Sequence, residues 1–169
     1  VDTYGVTSFK IYMFYGGHGL HGRSTNQHEF LMINEDEKYD IAHFEFVMRG
    51  IRKAMDKYPD RAGDISLSLH CETAEIMSAY TKIVEEEGTL KGLAAYSAGR
   101  PPHSEGLAIF IASYLANETD LPNINLLHLT SRKAVLAALQ MAAVFPHINF
   151  RREVTIGHLM LDTDSKAAS

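Results

Sequence analysis

The chain has 169 residues, enough for one domain with a real core, and its 46% apolar and 22% charged residues are ordinary for a globular protein. A net charge of −5 with no basic block speaks against a nucleic-acid surface, and no apolar run is long enough to span a membrane. The single cysteine, Cys71, cannot close an internal disulfide, which fits a reducing compartment and sets the expectation of a cytoplasmic protein. The first residues, VDTYGV, are neither a signal peptide nor a start with Met, so the chain is expected to begin inside a longer protein.

Residues 7–15, TSFKIYMFY, read as a strand rich in β-branched and aromatic residues. Alternation puts Phe9, Ile11 and Met13 on one face and Ser8, Lys10, Tyr12 and Phe14 on the other. Lys10 is the anomaly, a cation inside an apolar run. It reads either as a lysine at an exposed sheet edge or as one that finds a partner, loses its charge or is chemically altered. Residues 16–38 form a long polar segment containing GGHGLHG and the histidines His18, His21 and His28. It lacks Cys and any fixed geometry for a metal, so a lid or surface loop is expected.

A helix is predicted over 40–58, with Ile41, Phe44, Met48, Ile51 and Met55 on one face and Pro59 after it. ISLSLH, 65–70, alternates as a strand ending at His70. A helix over 73–87 follows, with a stripe of Ile76, Tyr80, Ile83 and Val84 and Gly88 closing it. The prolines of Gly99-Arg100-Pro101-Pro102 predict a loop, with Ser104 capping a helix to about Asn117 that buries Leu107, Phe110, Ile111, Tyr114 and Leu115. Then come a strand over 123–129, carrying His128 near its end, and a helix over 132–144 capped by Ser131 and burying Val135, Leu136 and Leu139. A last strand over 148–154 leads into TIGHLMLD and a tail, 163–169, expected to fray. Strands alternating with helices predict an α/β fold of parallel βαβ units.

Lys10, His70 and His128 therefore stand on or at the ends of successive strands, whose carboxyl ends converge on one mouth. Each histidine alone reads as a satisfied strand-end residue. Together with the strand lysine they also read as metal ligands, since neutral imidazole suits zinc.

The segments GVTSFKIYMFY, LSLHCE, GRPPHSEG, LLHLTSRKAV and EVTIGHLMLD, in this order, resemble the cyclic amidohydrolases: the hydantoinase, dihydropyrimidinase, dihydroorotase and allantoinase group. The resemblance implies about four consecutive β/α units of a TIM-type (β/α)8 barrel, and residues 1–169 as one partial barrel domain with 16–38 as its active-site lid. It implies two divalent metal ions, zinc by preference, bridged by Lys10 carboxylated with carbon dioxide, with His70 and His128 as ligands of one ion. Tyr15 falls on a tyrosine that hydrogen-bonds substrate, and its plain alternative is a packed aromatic. The implied substrate is a small cyclic amide, hydrolysed by water that the metals activate.

Departures accompany the match. No His-x-His pair precedes Lys10, and Asp162 and Asp164 do not fit the family's last-strand aspartate motif. Thr73 replaces the usual Asn, and Ile156 and Gly157 depart from the seventh-strand motif; EVTIGHL is closer to the dihydroorotase version, while FKIYMFY is closer to the hydantoinase version. Glu72 and Arg100 match family patterns, with local structure as their expected work. This chain alone is expected to be inactive and, with open sheet edges, to form homo-oligomers. The rival reading is a non-catalytic dihydropyrimidinase-like scaffold, against which the retention of Lys10, His70 and His128 argues. A third is a small α/β binding domain that takes no metal.

Overall fold

The computed structural model describes residues 1–13 and 41–163. Tyr15, the expected lid at 16–38 and residues 164–169 lie outside the described residues. The elements are β1 (Ser8–Tyr12), α1 (Ile41–Lys57), a 3-10 turn (Pro59–Arg61), β2 (Ser66–His70), α2 (Ala74–Glu87), α3 (Gly92–Ala98), α4 (Pro102–Glu118), β3 (Asn123–Leu126), α5 (Arg132–Val144), β4 (Asn149–Arg152) and α6 (Ile156–Met160). The four strands are parallel and pair in sequence order, β1-β2-β3-β4. The expected α/β architecture of successive βαβ units is therefore present. Among the described residues β1 and β4 are the sheet edges.

Strand alternation sorts the two faces cleanly. Ile11, Leu67, Leu69, Ile124, Leu126 and Phe150 are buried in one core with Phe44, Met48, Ile51 and Met55 of α1 and the inner faces of α4 and α5. The opposite face is polar. Lys10, Ser68, Asn125 and Arg151 form one register row across it, and Tyr12 pairs with His70 one row nearer the carboxyl ends. Right-handed crossovers between sequential parallel strands put the helices on the apolar side and leave this polar side uncovered.

Several expectations fail, and for a shared reason. α4 buries Ala108, Ile109, Ala112, Ser113, Leu115 and Ala116, whereas Leu107, Phe110 and Tyr114 point outward, Tyr114 with 58% exposure. α5 buries Ala134, Ala137 and Ala138, whereas Val135, Leu136 and Leu139 are exposed. Both helices carry apolar residues on every side, so periodicity does not mark the inner face. Small residues line it because α4 and α5 pack side by side, close to the sheet. In α1, Ile41 is exposed at the helix start. In α2, Tyr80 and Ile83 are exposed and only Ala74 is buried, because α2 packs mainly on the short helix α3, which the sequence analysis did not predict.

The helix start at Pro102 is a second correction. Pro101 is the N-cap and Pro102 sits in the first turn, where the N–H it lacks would have no intrahelical partner. Ser104 is no cap; it is buried inside that turn. Ser131 does cap α5, its Oγ accepting from Ala134 N–H at 3.1 Å. Gly88 ends α2 at φ 63°, a left-handed position natural to glycine. β3 stops at Leu126, short of His128. Among the described residues, no helix is long and apolar enough to cross a membrane.

The two kinds of apolar position predict different costs. Leu69→Ala, in the core at 0% exposure, lowers unfolding free energy by about 2–5 kcal/mol. Leu136→Ala, at 52% exposure, changes it by less than about 0.5 kcal/mol. Urea titration of the two variants checks the assigned faces; equal losses would contradict them.

Candidate functional site

The polar side chains meet at the carboxyl ends of β1, β2 and β3. Tyr12, last in β1, stacks on His70, last in β2, with ring centroids 4.0 Å apart and planes 14° from parallel. His128 stands two residues past β3. Its Nε2 is in hydrogen-bond contact with His70 Nδ1, and the two ring centroids are 4.4 Å apart. The structure thus brings His70 and His128 together. Lys10 lies on the same face but is exposed on the edge strand, its Nζ 5.1 Å from the Tyr12 ring centroid.

Behind the imidazoles lie carboxylates. Glu72 Oε1 is 4.0 Å from His128 Nδ1, and Glu72 Oε2 is buried without a hydrogen-bond partner among the described residues. Burial, then the charge of Glu105, pushes the Glu72 carboxyl up to about 7, with Arg100 opposing. Burial first, then His128, then Lys10, pushes His70 down to about 4. His70 is therefore neutral near pH 7, as a metal ligand must be. Glu72 is more than the helix start expected of it, because it faces His128. The Arg100 guanidinium lies 3.6 Å over the Tyr96 ring, consistent with a loop anchor.

Two residues escaped the sequence reading. Glu105, buried in the first turn of α4, accepts hydrogen bonds from Thr130 and Ser131. His158 of α6 brings its ring centroid 6.1 Å from that of His128. The signal for His158 was available: a histidine follows the fourth strand, as His70 ends the second and His128 follows the third. Glu105 gave none, because its partners lie 25 and 26 residues away.

A bound cation would find two convergent donors here, His70 Nδ1 and His128 Nε2. Among the described residues, no group of three or more His, Cys, Asp or Glu side chains is placed to hold a metal ion. The pair fits part of a coordination shell, and further ligands would have to be of another kind or come from elsewhere.

The fold defined by these elements is that of consecutive β/α units with polar chemistry at the carboxyl ends of the strands. Solved structures place that fold. The chain is similar to dihydropyrimidinase from Brevibacillus agri NCHU1002, with a TM-score of 0.66 and 19% identity over 95% of this chain and 28% of that one. It is similar to D-hydantoinase from Bacillus sp. AR9, with a TM-score of 0.69 and 18% identity over 97% of this chain and 30% of that one. It is also similar to L-hydantoinase from Arthrobacter aurescens, with a TM-score of 0.67 and 19% identity over 95% of this chain and 29% of that one. The chain thus spans less than a third of the structures it matches, and shares the fold of that portion. No protein-family model and no curated protein matches the sequence.

The two pKa shifts act on stability with opposite signs. Folded His70 binds fewer protons than unfolded between about 4 and 6.5, so its stability contribution is lost as pH falls through that window. Folded Glu72 binds more protons than unfolded between 4.5 and about 7, so stability is lost as pH rises through that window. In chelator-treated protein, Glu72→Gln should therefore gain stability relative to wild type on going from pH ~4 to pH ~8. Urea midpoints at the two pH values measure this. A constant difference between them would show that Glu72 titrates as an ordinary carboxylate.

Proposed function

We propose that the complete protein carrying this chain is a metal-dependent hydrolase of cyclic amides, of the hydantoin, dihydropyrimidine or dihydroorotate type. In this reading the chain supplies about four units of a (β/α)8 barrel. The observation that carries it is the convergence of His70 Nδ1 and His128 Nε2 at the ends of adjacent parallel strands, in a fold shared with hydantoinase structures. Such strand ends are where α/β barrels gather their chemistry.

In the proposed site His70 and His128 would hold one divalent ion, zinc by preference. Lys10 stands on the same sheet face, two residues before the tyrosine stacked on His70. Its neutral amine would add carbon dioxide with loss of a proton, turning a cation beside the site into an anion with two oxygens. That change replaces repulsion of a divalent ion by attraction, and the carbamate would bridge a second ion. The remaining ligands would come from outside this chain. When bound, the metal ions would polarise the amide carbonyl and lower the pKa of water. Tyr15 is assigned to hydrogen-bond the substrate's amide oxygen, and the 16–38 segment to close over the ring. Glu72 would orient His128 from its Nδ1 side, a carboxylate behind a ligating imidazole. In this chain taken alone β1 and β4 would be edges open to self-association, whereas in the closed barrel they would pair with its remaining strands.

The test is metal content and intact mass of the complete protein in bicarbonate buffer, with ring-opening assays on hydantoin, dihydrouracil and dihydroorotate. The expected result is two bound metals, a carbon-dioxide mass increment absent in Lys10→Ala, and hydrolysis of one ring type that chelation abolishes. His70→Ala or His128→Ala should lower kcat by at least ~100-fold and reduce the metal content. A metal-free protein with unmodified Lys10 would replace this reading by the scaffold one.

A further inference from the structure

His128 does not sit in regular strand geometry. β3 ends at Leu126, and His128 follows at φ 36°, in the left-handed region that disfavours side chains other than glycine. Such a conformation persists where its surroundings over-determine it. Around His128 the backbone is tied at three places. Leu127 N–H donates to the Leu69 carbonyl at 3.1 Å, and Leu129 N–H donates to the Glu153 carbonyl at 2.8 Å. Thr130 N–H donates to Glu105 Oε1 at 3.0 Å. The first two ties are to backbone beside β3; the third is to a side chain on a helix.

That side chain is 7% exposed and collects further donors. Glu105 Oε2 accepts from Thr130 Oγ1 at 2.8 Å and from Ser131 Oγ at 3.1 Å. Its chain neighbour Ser104 grips the other histidine's loop. Thr73, three residues past His70, donates its N–H to Ser104 Oγ at 2.9 Å and its Oγ1 to the Ser104 carbonyl at 2.8 Å. One helical turn thus holds the loop after β2 and the loop after β3.

We propose that Glu105 is a positioning residue: through Thr130 and Ser131 its carboxylate fixes the backbone at His128, and with Ser104 it sets how His70 and His128 face each other. Its value to catalysis rests on the metal-site reading above. The carboxylate suits this work because it is acceptor-only, with room for several donors. A backbone N–H and two hydroxyls converge on it, and no lone amide or hydroxyl could accept from all three in the same way.

The experiment uses the complete protein as wild type, Glu105→Ala, Glu105→Gln and Thr130→Val. Thr119→Val serves as a control at the far end of the same helix, where Thr119 Oγ1 donates to the Leu115 carbonyl at 2.7 Å. One readout is the nuclear Overhauser contact between the His70 and His128 rings in chelator-treated protein. The other is Co2+ affinity followed by visible absorption. Glu105→Ala is expected to lose the ring contact and weaken Co2+ binding by about 10–100-fold. Glu105→Gln, whose amide NH2 cannot accept a hydrogen bond, should recover only part of either, and Thr130→Val should fall between wild type and Glu105→Ala. Thr119→Val should lower the melting temperature and move neither. If Glu105→Ala does not fold, Thr130→Val, which keeps the side-chain shape, decides on the same two readouts. Unchanged ring contact in these variants overturns the proposal, as does an equal effect of Thr119→Val. Wild type that binds no Co2+ but whose ring contact depends on Glu105 removes the metal reading and leaves the positioning role standing.

Discussion

Parallel pairing in sequence order is the constraint from which the rest of this molecule follows. A strand that pairs beside its predecessor in the same direction needs a crossover long enough to return the chain to the start. The right-handed twist of each strand sends those crossovers to one side. All strands then end at the same edge of the sheet, so residues far apart in sequence become neighbours there. Tyr12, His70 and His128 meet for that reason, without any local motif joining them. The same constraint divides the faces: helices need apolar partners, so the side they leave bare is free to carry Lys10, Ser68, Asn125 and Arg151.

Behind the paired imidazoles the molecule places charge where solvent is scarce. Glu72 is held near Glu105, and each raises the cost of ionising the buried Cys71 thiol after burial itself. Such an arrangement is unfavourable to a fold and persists when the groups have other work. Glu105 has three donors to satisfy it. Glu72 Oε2 has none among the described residues, and this is the clearest point in the site where bonding capacity exceeds supply.

The strands were legible because their period is two and one side of the sheet is polar. Ile65, Leu67 and Leu69 alternate with Ser66, Ser68 and His70 in a way that admits one orientation. α1 was legible for the same reason at period 3.6, its outer face being charged. α4 and α5 were not. Where every side of a helix is apolar, the inner face is chosen by size, and size is decided by how near the neighbouring helix comes. Leu107, Phe110, Val135 and Leu139 looked like core because they are large; they lie outside because Ala112, Ala134 and Ala138 fit where they would not. The histidine pair was legible through strand ends alone. Its support was hidden, because hydrogen bonds from Thr130 and Ser131 to Glu105 join residues no short pattern relates.

Sequential strand order also has a consequence in time. Ser8 pairs with Ser66, Leu67 with Ile124, and Asn123 with Asn149, so each strand finds its place beside one already made. Among the described residues, no strand waits for a later one to be inserted between it and its neighbour. During synthesis these four strands can therefore be added one at a time in chain order, and the last crossover, the shortest of the three, closes soonest after its strand emerges. The same order would let His70 be placed before His128 leaves the ribosome, so that the second ring docks onto the first.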